Sequence, residues 1–396
     1  MRQLLLLLAL LIYIIGYSKN KNWTCINENG ETIFRIEAMR VYEFKNGLAR
    51  VYKNTLVNNQ WVTGYGYINQ KGEVVIPCDL EKAMDFESDV TWVKKKGEDF
   101  YRMINKQGKI IPTKEYKKVK NFFDFQKDTC AVFEDGKMGF VDSTGKERIP
   151  CKYAGSSVFT EGLASVCLAN AKEEAYGFIN RNGEAVIPLA YKQAGSSSFR
   201  KGLARASVGG STVLVDKTGK IVFQTKKGNI QGHNYGRILV ITKPNRRGWG
   251  WLDFNDKFVI NPEYDYAQNF NEDGFAIVEK NGLKGVIDTT GKVIIPLEYE
   301  TVYHDITKDG FFAGVLPSKG GAISMANAQK HYFDKNLDRI ELDNIKYIMS
   351  ARYGNRIPFS DMNNRKGYLN RNFEIAIPAI YSRNEFFIEG LAWVLD

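Results

Sequence analysis

One phrase recurs along this chain and constrains its fold more than any other feature. The fullest copy runs from Phe159 to Phe199: F-T-E-G-L-A-S-V, a short variable insert, then Y-G-F-I-N-R-N-G-E-A-V-I-P-L-A-Y. Further copies open at Phe44, Phe86, Phe125, Phe199 and Phe270, and a front half alone, F-I-E-G-L-A-W-V-L-D, closes the chain from Phe387 to Asp396. The spacing gives a period of roughly 38 residues, and periods of about 20 to 50 mean a solenoid, a propeller or an array.

Three local signals say what one repeat is made of. G-L-A-x-V and G-F-I-N/D are β-branched and aromatic runs of strand length. N/D-x-x-G returns at Asn27, Asn69, Asn105, Asp142, Asn180, Asp216 and Asp288. Asn or Asp opening a type I turn, closed by a left-handed Gly, makes a hairpin with a bulge. Pro after V-I is expected to end a strand, because it cannot donate to a ladder. The expectation is about three strands per repeat with one tight hairpin. No window sustains a helical period. The chain should be all-β, with about ten repeats.

Some copies depart from the pattern. The second has Tyr101-Arg102 where others have an aromatic and a Gly, the fifth lacks both that Gly and the Pro, and 306–345 is the most degenerate stretch. The chain also starts on a back half, C-I-N-E-N-G-E-T-I-F-R-I, and ends on a front half. Together these make one whole repeat, a split that seals rings and hides sheet edges. Ten repeats exceed the four to eight blades usual in propellers. Both an open superhelical array and a closed propeller-like ring remain, with the count leaning toward the open form.

The first residues read differently. A charged start, the apolar run Leu4 to Ile15, and Gly16-Tyr17-Ser18 match a secretory signal peptide over 1–18. Twelve apolar residues fall short of the about 20 that span a bilayer. The expectation is a secreted, periplasmic or cell-envelope protein that meets the membrane only through this segment, with 19–396 forming the repeat array. Five cysteines, Cys25, Cys78, Cys130, Cys151 and Cys167, show no zinc spacing. One disulfide is compatible with an oxidising compartment, its pairing open.

The repeat F-x-E-G-L-A-x-V … Y/W-G-F-I-D/N-x-x-G-x-V-I-P-x-x-Y resembles the WG (KWG) β-repeat family. Its Trp-Gly pair stands at Trp249-Gly250, and as Tyr65-Gly66 and Tyr176-Gly177; Lys284-Gly285 and Lys366-Gly367 keep only the Gly. The resemblance covers essentially everything after residue 18. It implies a tandem β-meander scaffold with no shared catalytic residue.

Candidate chemistry is sparse. His233, His304 and His331 lie in degenerate stretches without a fixed Ser, Cys or Asp neighbour, and no nucleophile elbow is present. Asn replaces Asp freely at the turn, which would destroy acid–base work and leave the turn intact. Gly66, Gly139, Gly177 and Gly285 stand alone inside strands, pointing to close backbone approach and not to phosphate loops. No catalytic residue, cofactor or metal is expected. Trp61 is the ligand-binding candidate, because V-N-N-Q-W-V-T-G lies outside the recurrent frame and Trp serves as a protein hot spot or a sugar platform. The net charge of +10, with lysines at 94–96 and 114–127, suits a solvated, edge-protecting face, and no nucleic-acid module appears. The leading expectation is a non-enzymatic exported scaffold for a protein or envelope polymer; the alternative is carbohydrate binding through insert-loop aromatics.

Overall fold

The computed structural model describes residues 20–57, 59–120, 129–157, 159–168, 175–192, 198–242, 248–304, 312–316, 330–334, 336–349 and 355–396. The expected signal peptide, Phe125 and much of 306–345 lie outside them. Every regular element among the described residues is a β-strand, and every sheet is antiparallel, a meander of consecutive strands except in the sheet that pairs Lys21–Asn27 with Leu391–Leu395. Two compact parts emerge: one gathers residues 1–121, 143–145 and 344–396, the other 122–142 and 146–343.

In the second part the repeat is clearest at Tyr266–Ala267, Phe275–Lys280, Leu283–Asp288 and Val293–Tyr299, paired in that order. The repeat thus has four strands where three were expected. The addition is the short first strand, and the turn after it explains the E-G of the motif. Thr160 and Leu163 exchange backbone hydrogen bonds of 2.9 and 3.0 Å around Glu161 and Gly162, whose φ values are 50° and 89°. Two positive φ values in a two-residue loop match the twist of a hairpin.

The N/D-x-x-G turn forms as read. Asp288 Oδ1 accepts from the backbone N–H of Thr290 and Lys292 at 2.9 and 3.0 Å, and Gly291 sits at φ 89°. Asn69 and Asn180 do the same with an amide oxygen. The turn explains why Asn and Asp interchange: both offer the same acceptor.

Proline behaves differently from expectation. The strand Val293–Tyr299 runs straight through Pro296. Lys284 pairs with Tyr299 and Val286 with Ile295, so two steps on one strand face four on the other. Pro sits in that bulge, where its missing N–H leaves no ladder bond unmade. The same offset recurs at Pro150, Pro188 and Pro262, and in the first part at Pro77 and Pro378.

Consecutive repeats are joined by rings and by a carboxylate. At several junctions the opening Phe of one repeat packs on an aromatic of the preceding one: Phe178 with Phe199 at 4.9 Å, Trp251 with Phe270 at 5.2 Å, Tyr67 with Phe86 at 4.9 Å and Tyr368 with Phe387 at 4.7 Å. Each buried ring is worth about 1.5–3 kcal/mol by apolar burial. Glu161 reaches across to the next turn, its Oε2 accepting from the Gly202 N–H at 3.0 Å. That contact gives a reason for Glu at a left-handed position that Asn or Gly would fill at less cost.

The first part contains the split repeat, and the two chain ends complete it. Lys21–Asn27 pairs with Leu391–Leu395, in a sheet whose order is Thr32–Ala38, Lys21–Asn27, Leu391–Leu395, Arg383–Asn384. Cys25 lies opposite Trp393. The composite repeat is bound to the next one as the others are: Glu389 Oε2 accepts from the Gly47 N–H at 2.9 Å.

Candidate functional site

The residue just before the opening Phe is Glu43 in the first repeat and Asp85 in the second. Both line a cleft of about 620 Å³ in the first part, together with Lys21, Trp23 and Trp393 from the composite sheet, and Arg40, Tyr42, Arg383 and Glu385. The walls combine aromatic rings with three cations and three carboxylates.

Its interior is organised by stacking and ion pairs. Trp393, buried, donates from Nε1 to the Tyr42 carbonyl at 2.9 Å. The Arg50 guanidinium lies 3.9 Å over the Tyr42 ring, and its Nε stands 3.0 Å from Asp85 Oδ1, a Coulombic pair without hydrogen-bond alignment. Arg383 sits 5.3 Å from the Trp23 ring and pairs with Glu385 at 2.6 Å. Lys45 bonds Glu87 and lies 3.9 Å from Asp85.

Two groups are left wanting. Burial lifts the Glu43 carboxyl above the ordinary range; Lys45 draws it back down, and Asp85, Glu385 and Glu87 push it up again. The Trp23 indole N–H is buried with no hydrogen-bond partner among the described residues. A buried donor without a partner costs about 1–3 kcal/mol. This is a polar, amphoteric recess on an aromatic floor, suited to binding a chain that carries both charges.

Trp61 is placed elsewhere. The insert read from the sequence extends the two central strands of the first repeat to Leu48–Val57 and Gln60–Asn69, ten residues each against six in the repeat at Phe275–Asp288. Near its tip Leu56 lies directly opposite Trp61. They are 55% and 65% exposed. Trp92 and Trp393, by contrast, are core residues.

A model of the WG containing repeat matches residues 23–56, 65–98, 138–170, 176–211, 249–283, 285–315 and 367–395, more than half of the chain. The chain belongs to the WG containing repeat family. Among curated proteins none matches. This WG-repeat chain is similar to a eukaryotic initiation factor at 9% identity, over 82% of this chain and 96% of the other, with a TM-score of 0.46. It is similar to apo AztD from Citrobacter koseri at 11%, over 81% and 94%, with a score of 0.35. The β-propeller domain of the Trilobed protease from Pyrococcus furiosus follows at 10%, over 76% and 97%, with 0.29.

The remaining candidates of the WG-repeat protein have structural surroundings. His233 Nε2 lies 2.8 Å from the Arg200 carbonyl, His304 Nε2 3.0 Å from Asn271 Nδ2, and His331 Nδ1 3.0 Å from the Tyr299 hydroxyl. Glu134, Glu147 and Cys151 bring one ligand atom each within 4.8 Å of one another, a grouping their sequence spacing hid. There the Cys151 thiol lies 3.7 Å from the Val132 carbonyl. Cys25, Cys78, Cys151 and Cys167 are free thiols.

Proposed function

We propose that this WG-repeat protein is an exported, non-enzymatic scaffold that binds a protein partner through its first compact part. The observation that carries the reading is the amphoteric cleft between the composite sheet and the first two repeats. Recesses with aromatic floors and charged rims suit peptide segments, whose charges complete the ion pairs and whose backbone can meet an orphan N–H such as that of Trp23. The exposed Leu56–Trp61 pair adds a hot spot of the kind that protein partners cover. Residues 1–18 supply the ground for export.

Carbohydrate binding is the second reading, favoured by the exposure of the Trp61 indole. The test is affinity capture from cell-envelope extract at low salt, with wild type beside Trp61→Ala and Glu43→Gln, and glycan-array binding in parallel. A protein captured by wild type and lost with either substitution supports the scaffold. Array binding abolished by Trp61→Ala, with no such protein, replaces it by the carbohydrate reading.

A further inference from the structure

In the fifth, sixth and seventh repeats the position before the opening aromatic has lost its acid. Where the first and second repeats carry Glu43 and Asp85, the fifth, sixth and seventh carry Ser198, Gly232 and Asn269. These three line one cavity of about 150 Å³, joined by Arg200, Arg205, Gln231 and His233. The lining has two guanidiniums, two carboxamides and a hydroxyl, and no carboxylate.

Comparison with the cleft shows how the cavity arises. Arg205 occupies in G-L-A-R-A the place Arg50 occupies in G-L-A-R-V. Arg50 faces Asp85 at 3.0 Å; in the corresponding place beside Arg205 stands Gly232. A Cβ there would come within 2.0 Å of Asn269 Nδ2, so Gly is what lets the Asn269 carboxamide lie against the backbone at this wall. Among the described residues neither that carboxamide nor the Ser198 hydroxyl has a hydrogen-bond partner. His233 donates from Nε2 to the Arg200 carbonyl, as the 2.8 Å separation is read, and so fixes the loop that carries Arg200. Arg200 itself is exposed and lies 3.8 Å from Glu272. Glu161 also acts on His233 from outside the lining, opposing the two arginines.

We propose that this cavity is a binding site for a single tetrahedral oxyanion, free phosphate or a phosphoryl group at the end of a larger ligand. Arg205 supplies the charge, and Asn269, Ser198 and Gln231 supply neutral donors that fix orientation. Charge-assisted bonds to guanidinium are about twice as strong as neutral ones. Burial lowers the affinity of the Arg205 guanidinium for its proton. The volume suits one oxyanion.

The test is calorimetric titration of the full chain with inorganic phosphate, with sulfate and acetate as separate arms, and with a phosphomonoester to distinguish a free ion from a terminal phosphoryl group. Two variants accompany it. Arg205→Gln removes the charge, and Asn269→Asp returns a carboxylate to the position without changing side-chain size. The expected result is phosphate binding that weakens at least tenfold in Arg205→Gln and vanishes in Asn269→Asp, both retaining the wild-type β-sheet circular dichroism. Acetate should bind at least tenfold more weakly than phosphate. Absence of phosphate binding at 10 mM to wild type, or equal binding by wild type and Asn269→Asp, overturns the proposal.

Discussion

A methyl group on Gly285 would lie 2.5 Å from the carbonyl oxygen of Ile295 and 2.8 Å from the carbonyl carbon of Pro296. The Gly of the family motif is therefore the floor beneath the proline bulge. Gly66, Gly139, Gly177, Gly250 and Gly367 meet the corresponding Ile carbonyl at 2.5–2.7 Å. Three repeats lack both the Gly and the Pro: Thr24, Val213 and His331 occupy the Gly position where no Pro follows. The second repeat keeps Pro112 beside Arg102, and its bulge is one residue longer, with Met103 opposite Ile111 and Tyr101 opposite Tyr116.

Gly285→Ala should therefore cost about 1–3 kcal/mol, as overpacking against rigid backbone does. Gly282→Ala is the control. It has a positive φ of 78° but nothing within 4 Å of its added Cβ, so only about 1 kcal/mol of backbone strain is expected. Urea denaturation of the two variants checks the order. Equal losses would mean that the bulge, and not the Gly, adapts.

The turn aspartates set a pH dependence. The Asp216 carboxylate accepts from Thr218 Oγ1 at 2.6 Å and from the Thr218 and Lys220 N–H groups at 2.9 and 3.1 Å. These bonds, the Thr218 hydroxyl first, hold its pKa below the ordinary Asp value. Asp253 is lowered chiefly by the Lys257 N–H. A folded pKa below the unfolded value of about 3.9 stabilises fully above that pH and is lost as pH falls through the folded value. Asp216→Asn with Asp253→Asn should flatten melting temperature against pH between about 4 and 2 and leave the turns formed, since Asn69 and Asn180 already form them. An unchanged slope would place the acid sensitivity elsewhere.

Thiol reactivity should follow burial. Burial pushes the Cys25 thiol up to about 12 and raises Cys78 as well. The thiolate is the reactive form. In the native protein at pH 8 an aromatic disulfide reagent should modify the half-buried Cys151 while Cys25 stays unmodified, on the order of 1000-fold slower. Peptide mass spectrometry after brief labelling reads this directly. Early modification of Cys25 would show that its sheet opens readily.

Much of this was legible because the repeat writes its turns in residue types that serve few other purposes. Asn27, Asn69 and Asp288 identify hairpins through a side-chain acceptor, and Gly30 and Gly291 through a left-handed φ. The role of Pro296 was misread because a missing N–H is equally compatible with a strand end and a bulge; only the register decides. The short first strand was missed, although E-G before L-A carried its turn. Trp61 stood out as an interruption of the frame. The cleft did not, because its residues come from the two ends of the chain and become neighbours only through the pairing of Lys21–Asn27 with Leu391–Leu395. The small cavity was equally hidden: it depends on Gly232, whose meaning is the Asp that is not there.

The composite sheet makes a final prediction, centred on Trp393. Its ring stacks on Phe44 at 5.7 Å and 13°, meets Phe34 edge-on at 5.5 Å, and its N–H reaches the Tyr42 carbonyl. One side chain thus ties the last strand to the second and to the first full repeat. Trp393→Ala should cost about 3–5 kcal/mol, the usual loss for emptying a large buried aromatic site. Trp393→Phe should cost less, keeping the stack and giving up one hydrogen bond of about 1 kcal/mol. Deletion of 386–396 goes further, because it strips the partner from Lys21–Asn27 and leaves an unpaired edge that invites association. Denaturant midpoints for the two point variants and light scattering for the deletion test the idea. A monomeric deletion protein with an unchanged midpoint would mean that the ends meet without holding the fold together.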